Sequence, residues 1–133
     1  MELDEVCKSA CKLCSDVILI LDTLKPSFEE LPDEIDIKRQ VAKVNEYMKR
    51  LCSQGKLHKP KEFNEEIDVS YKGITLKTYA IKAPRKPIRA YGWFFEGRFY
   101  VSFYALKKTQ KLPKPIKEKL ERTAKDFIDE VML

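Results

Sequence analysis

Apolar positions along the chain follow two periods, and the change falls near Tyr71. Before it the spacing is helical. Leu3, Val6, Cys7, Ala10, Cys14, Val17 and Leu21 recur at three- and four-residue steps, which predicts a helical face within residues 2–24. Asp16–Asp22 (DVILILD) equally suits a short buried strand, and periodicity alone does not separate the two. Pro26 and Pro32 interrupt the pattern, and Ser27-x-x-Glu30 has the spacing of a capping box for a short helical turn. Residues 33–53 read as a helix, with Ile37, Val41, Val44, Met48 and Leu51 on one stripe and Gly55 at the C-cap side. Residues 56–68 read as a polar connection.

From Tyr71 the period is two. Ile74, Leu76, Thr78 and Ala80 alternate with Thr75, Lys77, Tyr79 and Ile81, as in a strand. After the turn Ala83–Pro87 come two more strands, Ile88–Phe95 and Arg98–Leu106, around the two-residue loop Glu96-Gly97. Pro115 suits the first turn of a last helix, with Ile116, Leu120, Phe127, Ile128 and Val131 on its stripe. The expectation is an α/β (α+β) domain.

The hairpin separates into two faces if pairing runs unbroken from the loop. Ile88, Ala90, Gly92, Phe94, Phe99, Val101, Phe103 and Ala105 form a core face. Arg89 opposite Tyr104, Tyr91 opposite Ser102, Trp93 opposite Tyr100, and Phe95 beside Arg98 form the other. That second face is either another core, under the N-terminal helices, or a binding surface. Arg89 favours binding: a buried arginine needs a carboxylate partner, and the only acid in residues 71–111 is Glu96. A phosphate suits its guanidinium fork, and tyrosines give bases a surface to stack on.

Charge sharpens this. Residues 71–111 hold ten Lys/Arg and that one acid, a net +9. The whole chain is +5, so the remainder is −4. Such a run is most often a solvated face, but here it alternates with ten of the fourteen aromatics, which points to a polyanion such as RNA. The 133 residues suit one domain, and 44% hydrophobic content supplies a core. The longest apolar run, Val17–Leu21, falls far short of the ~20 residues of a membrane span. Glu2, Asp4 and Glu5 do not suit a signal peptide, so a cytoplasmic protein is expected.

The cysteines add little chemistry. Cys7, Cys11 and Cys14 have the spacing of a radical-SAM cluster motif, but that enzyme class needs a far larger barrel. The CxxC of Cys11 and Cys14 has no thioredoxin-like βαβ unit around it. The preferred reading packs these thiols as small apolar groups; the alternative is a zinc site with Cys52 as fourth ligand. No cofactor is expected. His58, the only histidine, reads as a surface loop residue.

Ile88–Phe94 (IRAYGWF), Gly97-Arg98, Val101–Tyr104 and Lys107–Pro113 (KKTQKLP) together resemble the RelE/HigB toxins of the RelE/ParE superfamily, in their phage-derived HigB-like branch. Leu51–Pro60, a helix end followed by Gly55, Leu57 and Pro60, also fits. The likeness covers roughly residues 33–130 of a single domain; residues 1–30 have no assigned counterpart. It implies a twisted, mainly antiparallel sheet of three to four strands, two N-terminal helices packed on it and a C-terminal helix. It also implies a toxin held in check by a cognate antitoxin protein. Such toxins cut mRNA, usually on the ribosome, without a metal. The 2′-OH attacks the adjacent phosphate and leaves a 2′,3′-cyclic phosphate.

That chemistry needs a base, cations for the phosphorane and an acid for the leaving oxygen. By the resemblance Arg89 grips the phosphate, Lys77 is the base, with a pKa depressed by neighbouring cations, and Lys107 or Lys108 is the acid. Tyr91, Arg98, Tyr104, Gln110, Lys111 and Arg85 are the expected RNA contacts. Tyr91 or Tyr104 replaces the stacking tyrosine of RelE, which the segment Leu112–Ile116 lacks. The alternative is a non-catalytic RNA- or protein-binding module, a ParE-like inhibitor or a degenerate toxin.

Overall fold

A computed structural model of the chain describes residues 1–8, 15–55, 62–83, 88–107 and 111–133. Their order is β1 (Leu3–Cys7), β2 (Asp16–Ile20), α1 (Leu21–Glu29), α2 (Ile35–Gln54), β3 (Phe63–Tyr71), β4 (Ile74–Lys82), β5 (Ile88–Phe95), β6 (Arg98–Leu106) and α3 (Lys114–Val131). The strands form one six-stranded sheet in the order β1-β2-β6-β5-β4-β3. Neighbours are antiparallel except β2 and β6, which run parallel.

The class is α+β, but this corrects the expected sheet of three to four mainly antiparallel strands with two N-terminal helices. Residues 1–20 supply two strands where a helix is one expectation, and β3 takes up 63–68 of the expected polar connection. Both outer strands hide from a pattern search for the same reason. β1 carries Asp4 and Glu5, β3 carries Asn64, Glu65, Glu66 and Asp68, and edge strands tolerate such charge.

Helices cover both faces. Val44 and Met48 of α2 and Leu24 of α1 pack with Val17, Ile81, Ile88 and Phe99 on one face. Leu120, Phe127 and Ile128 of α3 pack with Leu76, Tyr91, Trp93 and Phe103 on the other. α2 ends as its sequence predicts: Gly55 takes φ 72° and its N–H donates to the Leu51 carbonyl at 3.1 Å. Ser27 is not a cap. It lies inside α1, after Pro26, and its buried hydroxyl donates to the Leu24 carbonyl and accepts from the Tyr104 N–H at 2.9 Å.

The β5–β6 hairpin has the predicted ends, and Glu96 and Gly97 both take positive φ, as a tight primed turn requires. Its register is interrupted. Phe95 pairs with Arg98 and Gly92 with Val101, but Tyr91 then pairs with Phe103 and Ser102 is skipped. Two features hold this bulge. A Cβ on Gly92 would overlap the Tyr100 carbonyl oxygen, so the strands approach as only glycine permits. The Thr23 hydroxyl of α1 donates to the Ser102 carbonyl at 2.5 Å.

Cys7 and Cys52 form a disulfide that joins β1 to the last turn of α2, with Cα atoms 6.2 Å apart. This corrects the reading of Cys7 as a packed thiol and removes Cys52 as a free metal ligand. Cys11, Cys14 and His58 lie outside the described residues. Among the described residues no helix is long and apolar enough to cross a membrane.

Candidate nucleic-acid interface at the basic end of the sheet

The bulge redistributes the predicted binding face. Beyond Ser102 each β6 side chain points opposite to the side that unbroken pairing gives. Arg89 therefore pairs with Ala105, and Tyr104 pairs with Ala90. Tyr104 lies on the α1/α2 face, where its hydroxyl donates to Asn45 Oδ1 at 3.0 Å and its ring meets Phe28 edge-on. Burial pushes that hydroxyl up to about 12. Tyr91 and Trp93 lie fully buried on the α3 face. Neither tyrosine offers an open stacking surface, and Phe103 and Ala105 have left the predicted core face for the α3 side.

Lys77 is also elsewhere. It alternates with Leu76 and Thr78, so it points to the face opposite Arg89, where Nζ meets Glu65 Oε1 at 2.9 Å. The Glu65 hydrogen bond holds its ammonium above the ordinary lysine value. A base needs the reverse, so the expected depression is corrected. Arg98 stands at the turn end, 3.7 Å from Asp16 Oδ2; the Tyr100 hydroxyl, then the Asp16 charge, hold its guanidinium above the ordinary value.

The opposite end of the sheet gathers cations on the α3 side. Lys82 pairs with Arg89 across β4 and β5, and Arg89 pairs with Ala105 across β5 and β6. Lys107 follows two residues after Ala105. The C-terminal end of α3 is tied to the β3–β4 turn through Lys72 and Asp129 at 2.5 Å, so its N-terminal end lies toward this basic end. Leu112 and Ile116 pack there against the core. Lys111 is exposed, three residues before α3; Arg85, Lys108 and Gln110 lie outside the described residues.

Arg89 is 5% exposed and has no carboxylate bonded to it among the described residues. Its Nη1 donates to the carbonyl of Ile88 at 3.2 Å, and its buried Nε has no hydrogen-bond partner among the described residues. Burial lowers the guanidinium below its ordinary value, and the charges of Tyr91 and Glu66 act against this. Lys107 is likewise 5% exposed. A buried guanidinium without a bonded anion among the described residues, with Lys82 beside it on β4 and Lys107 just past the end of β6, is suited to take up a phosphate.

Of the two lysines of β4, the fold places Lys82 beside Arg89, and Lys77, the one expected from sequence, beside Glu65. The signal for Lys82 is its place at the strand's end, where antiparallel pairing brings it beside the first residues of β5. No protein-family model, curated protein or solved structure matches this chain.

Proposed function

We propose that the chain is the toxin of a toxin–antitoxin pair, an endoribonuclease that cleaves mRNA at the basic end of the sheet. The observation that carries this reading is Arg89, buried, without a bonded acid among the described residues, and in register with Lys82. The resemblance of Ile88–Phe94 and Lys107–Pro113 to RelE/HigB toxins supplies the reaction. Arg89 holds the scissile phosphate. The 2′-oxygen attacks phosphorus, and the bond to the 5′-oxygen breaks. Lys82 and Lys107 take the 2′-OH proton and supply the proton to the leaving oxygen. Lys82 thus replaces Lys77 in the scheme.

The test incubates the purified chain with single-stranded RNA and maps product ends, with ribosomes in a parallel arm. New 2′,3′-cyclic phosphate ends that vanish in Arg89→Ala and Lys82→Ala but persist in Lys77→Ala support the reading. Cleavage that survives Arg89→Ala sinks it.

A second reading, a non-catalytic RNA-binding module, is favoured by the burial of Arg89 and by the distance of Lys77 from it in the fold. Under that reading RNA binds, with salt-dependent affinity, and stays intact.

A further inference from the structure

Gln40 occupies a core position of α2 between Ile37 and Val44 and is 5% exposed. A buried amide among apolar neighbours costs free energy unless it is hydrogen-bonded. Its Nε2 donates to Asp36 Oδ2 at 3.0 Å, one turn earlier on the helix. Its Oε1 accepts from the backbone N–H of Ile88 at 3.2 Å. Ile88 is the first residue of β5 and directly precedes Arg89.

The carbonyl of Ile88 accepts twice. The N–H of Ala83, just after β4, donates at 3.2 Å, and Arg89 Nη1 donates at the same distance. The residue is thus held from α2 at its amide and from β4 and the guanidinium at its carbonyl. Arg89 points from this junction, so movement of Ile88 moves both its backbone and the acceptor of its Nη1 hydrogen bond.

We propose that Gln40 is a positioning residue: through the N–H of Ile88 it sets the start of β5 and with it the reach of Arg89 toward a bound phosphate. The proposal rests on reading Arg89 as the phosphate grip. It explains why an amide stands where the helix stripe otherwise takes apolar side chains.

The experiment measures affinity for a single-stranded RNA oligonucleotide with 2′-O-methyl sugars, which binds but cannot be cleaved. Gln40→Leu is made in the wild-type chain and in Arg89→Ala, with Gln40→Met in its place if the leucine variant does not fold. Loss of one buried hydrogen bond acting through the arginine predicts about a tenfold weakening in the wild-type background. It predicts no further weakening in Arg89→Ala, because the two residues act as one unit. Asp36→Asn with Gln40→Glu, which keeps an acceptor for Ile88 and exchanges donor and acceptor toward residue 36, recovers most of the affinity. Equal weakening in both backgrounds overturns the proposal, since Gln40 then acts without Arg89. Unchanged affinity in Gln40→Leu, with loss in Arg89→Ala, overturns it while sparing the phosphate grip. Wild-type affinity in Arg89→Ala removes the grip and the proposal together.

Discussion

Arg89 is buried, and among the described residues no carboxylate is bonded to it. A guanidinium withdrawn from water without an anion costs free energy that an apolar side chain of similar size does not. Arg89→Leu is therefore expected to stabilise the fold, by about 1 kcal/mol, while removing RNA affinity. Urea denaturation checks this, and a lower midpoint would show that the arginine holds the fold together. Tyr104 makes a different prediction. Its hydroxyl titrates at about 12 in the folded chain, against about 10 once unfolded. Between these values the folded state binds more protons than the unfolded one. The contribution is intact below pH ~10 and is lost as pH rises through 12. Tyr104→Phe should flatten that alkaline loss, at a cost of about 1 kcal/mol for the bond to Asn45. Stability measured between pH 8 and 12 tests it; an unaltered slope in the variant refutes the assignment.

At the scale of elements, two devices set how strands meet. The bulge between β5 and β6 depends on the close approach at Gly92. Gly92→Ala drives a methyl into the Tyr100 carbonyl, and the backbone shift should cost roughly 1–3 kcal/mol. Denaturant midpoints measure that cost, and a neutral effect would mean that the strands have room to separate. The second device is the disulfide between β1 and α2, across 45 residues of sequence. Loop-closure entropy for that span is worth about 4 kcal/mol in the oxidised chain. A dithiol reductant should lower the thermal midpoint of the wild type and leave Cys7→Ala/Cys52→Ala unmoved. Mass spectrometry after alkylation reports which state was melted, and an oxidised chain indifferent to reduction would disprove the clamp.

For the whole molecule, the uneven charge bears on the proposed RNA partner. Residues 71–111 carry +9 while the remainder is −4, so under the proposed reading a polyanion is drawn to this segment. Contact with ~4–6 phosphates of a single strand predicts that log K falls with log salt at a slope of about −3 to −4. A slope near zero would reduce the segment to a solvated face. Both faces of the sheet carry helices, so the aromatics of β5 and β6 build two cores, and the proposed RNA site is left the sheet's end.

Local pattern was enough for α2, α3 and the β5–β6 hairpin. Each is announced by neighbours in sequence: an apolar stripe, a glycine at a helix end, a two-residue turn. The concentration of cations after Tyr71 was legible for the same reason. Which side of the sheet those cations occupy was not. Alternation fixes faces only while pairing is continuous, and the skip at Ser102 is held by Thr23, a residue 79 positions away. The pairing of Lys82 with Arg89, the parallel pairing of β2 with β6, the bond between Cys7 and Cys52 and the tie from Gln40 to Ile88 share this character. Each joins groups that chain spacing leaves unrelated and that only the packed sheet and helices bring within reach.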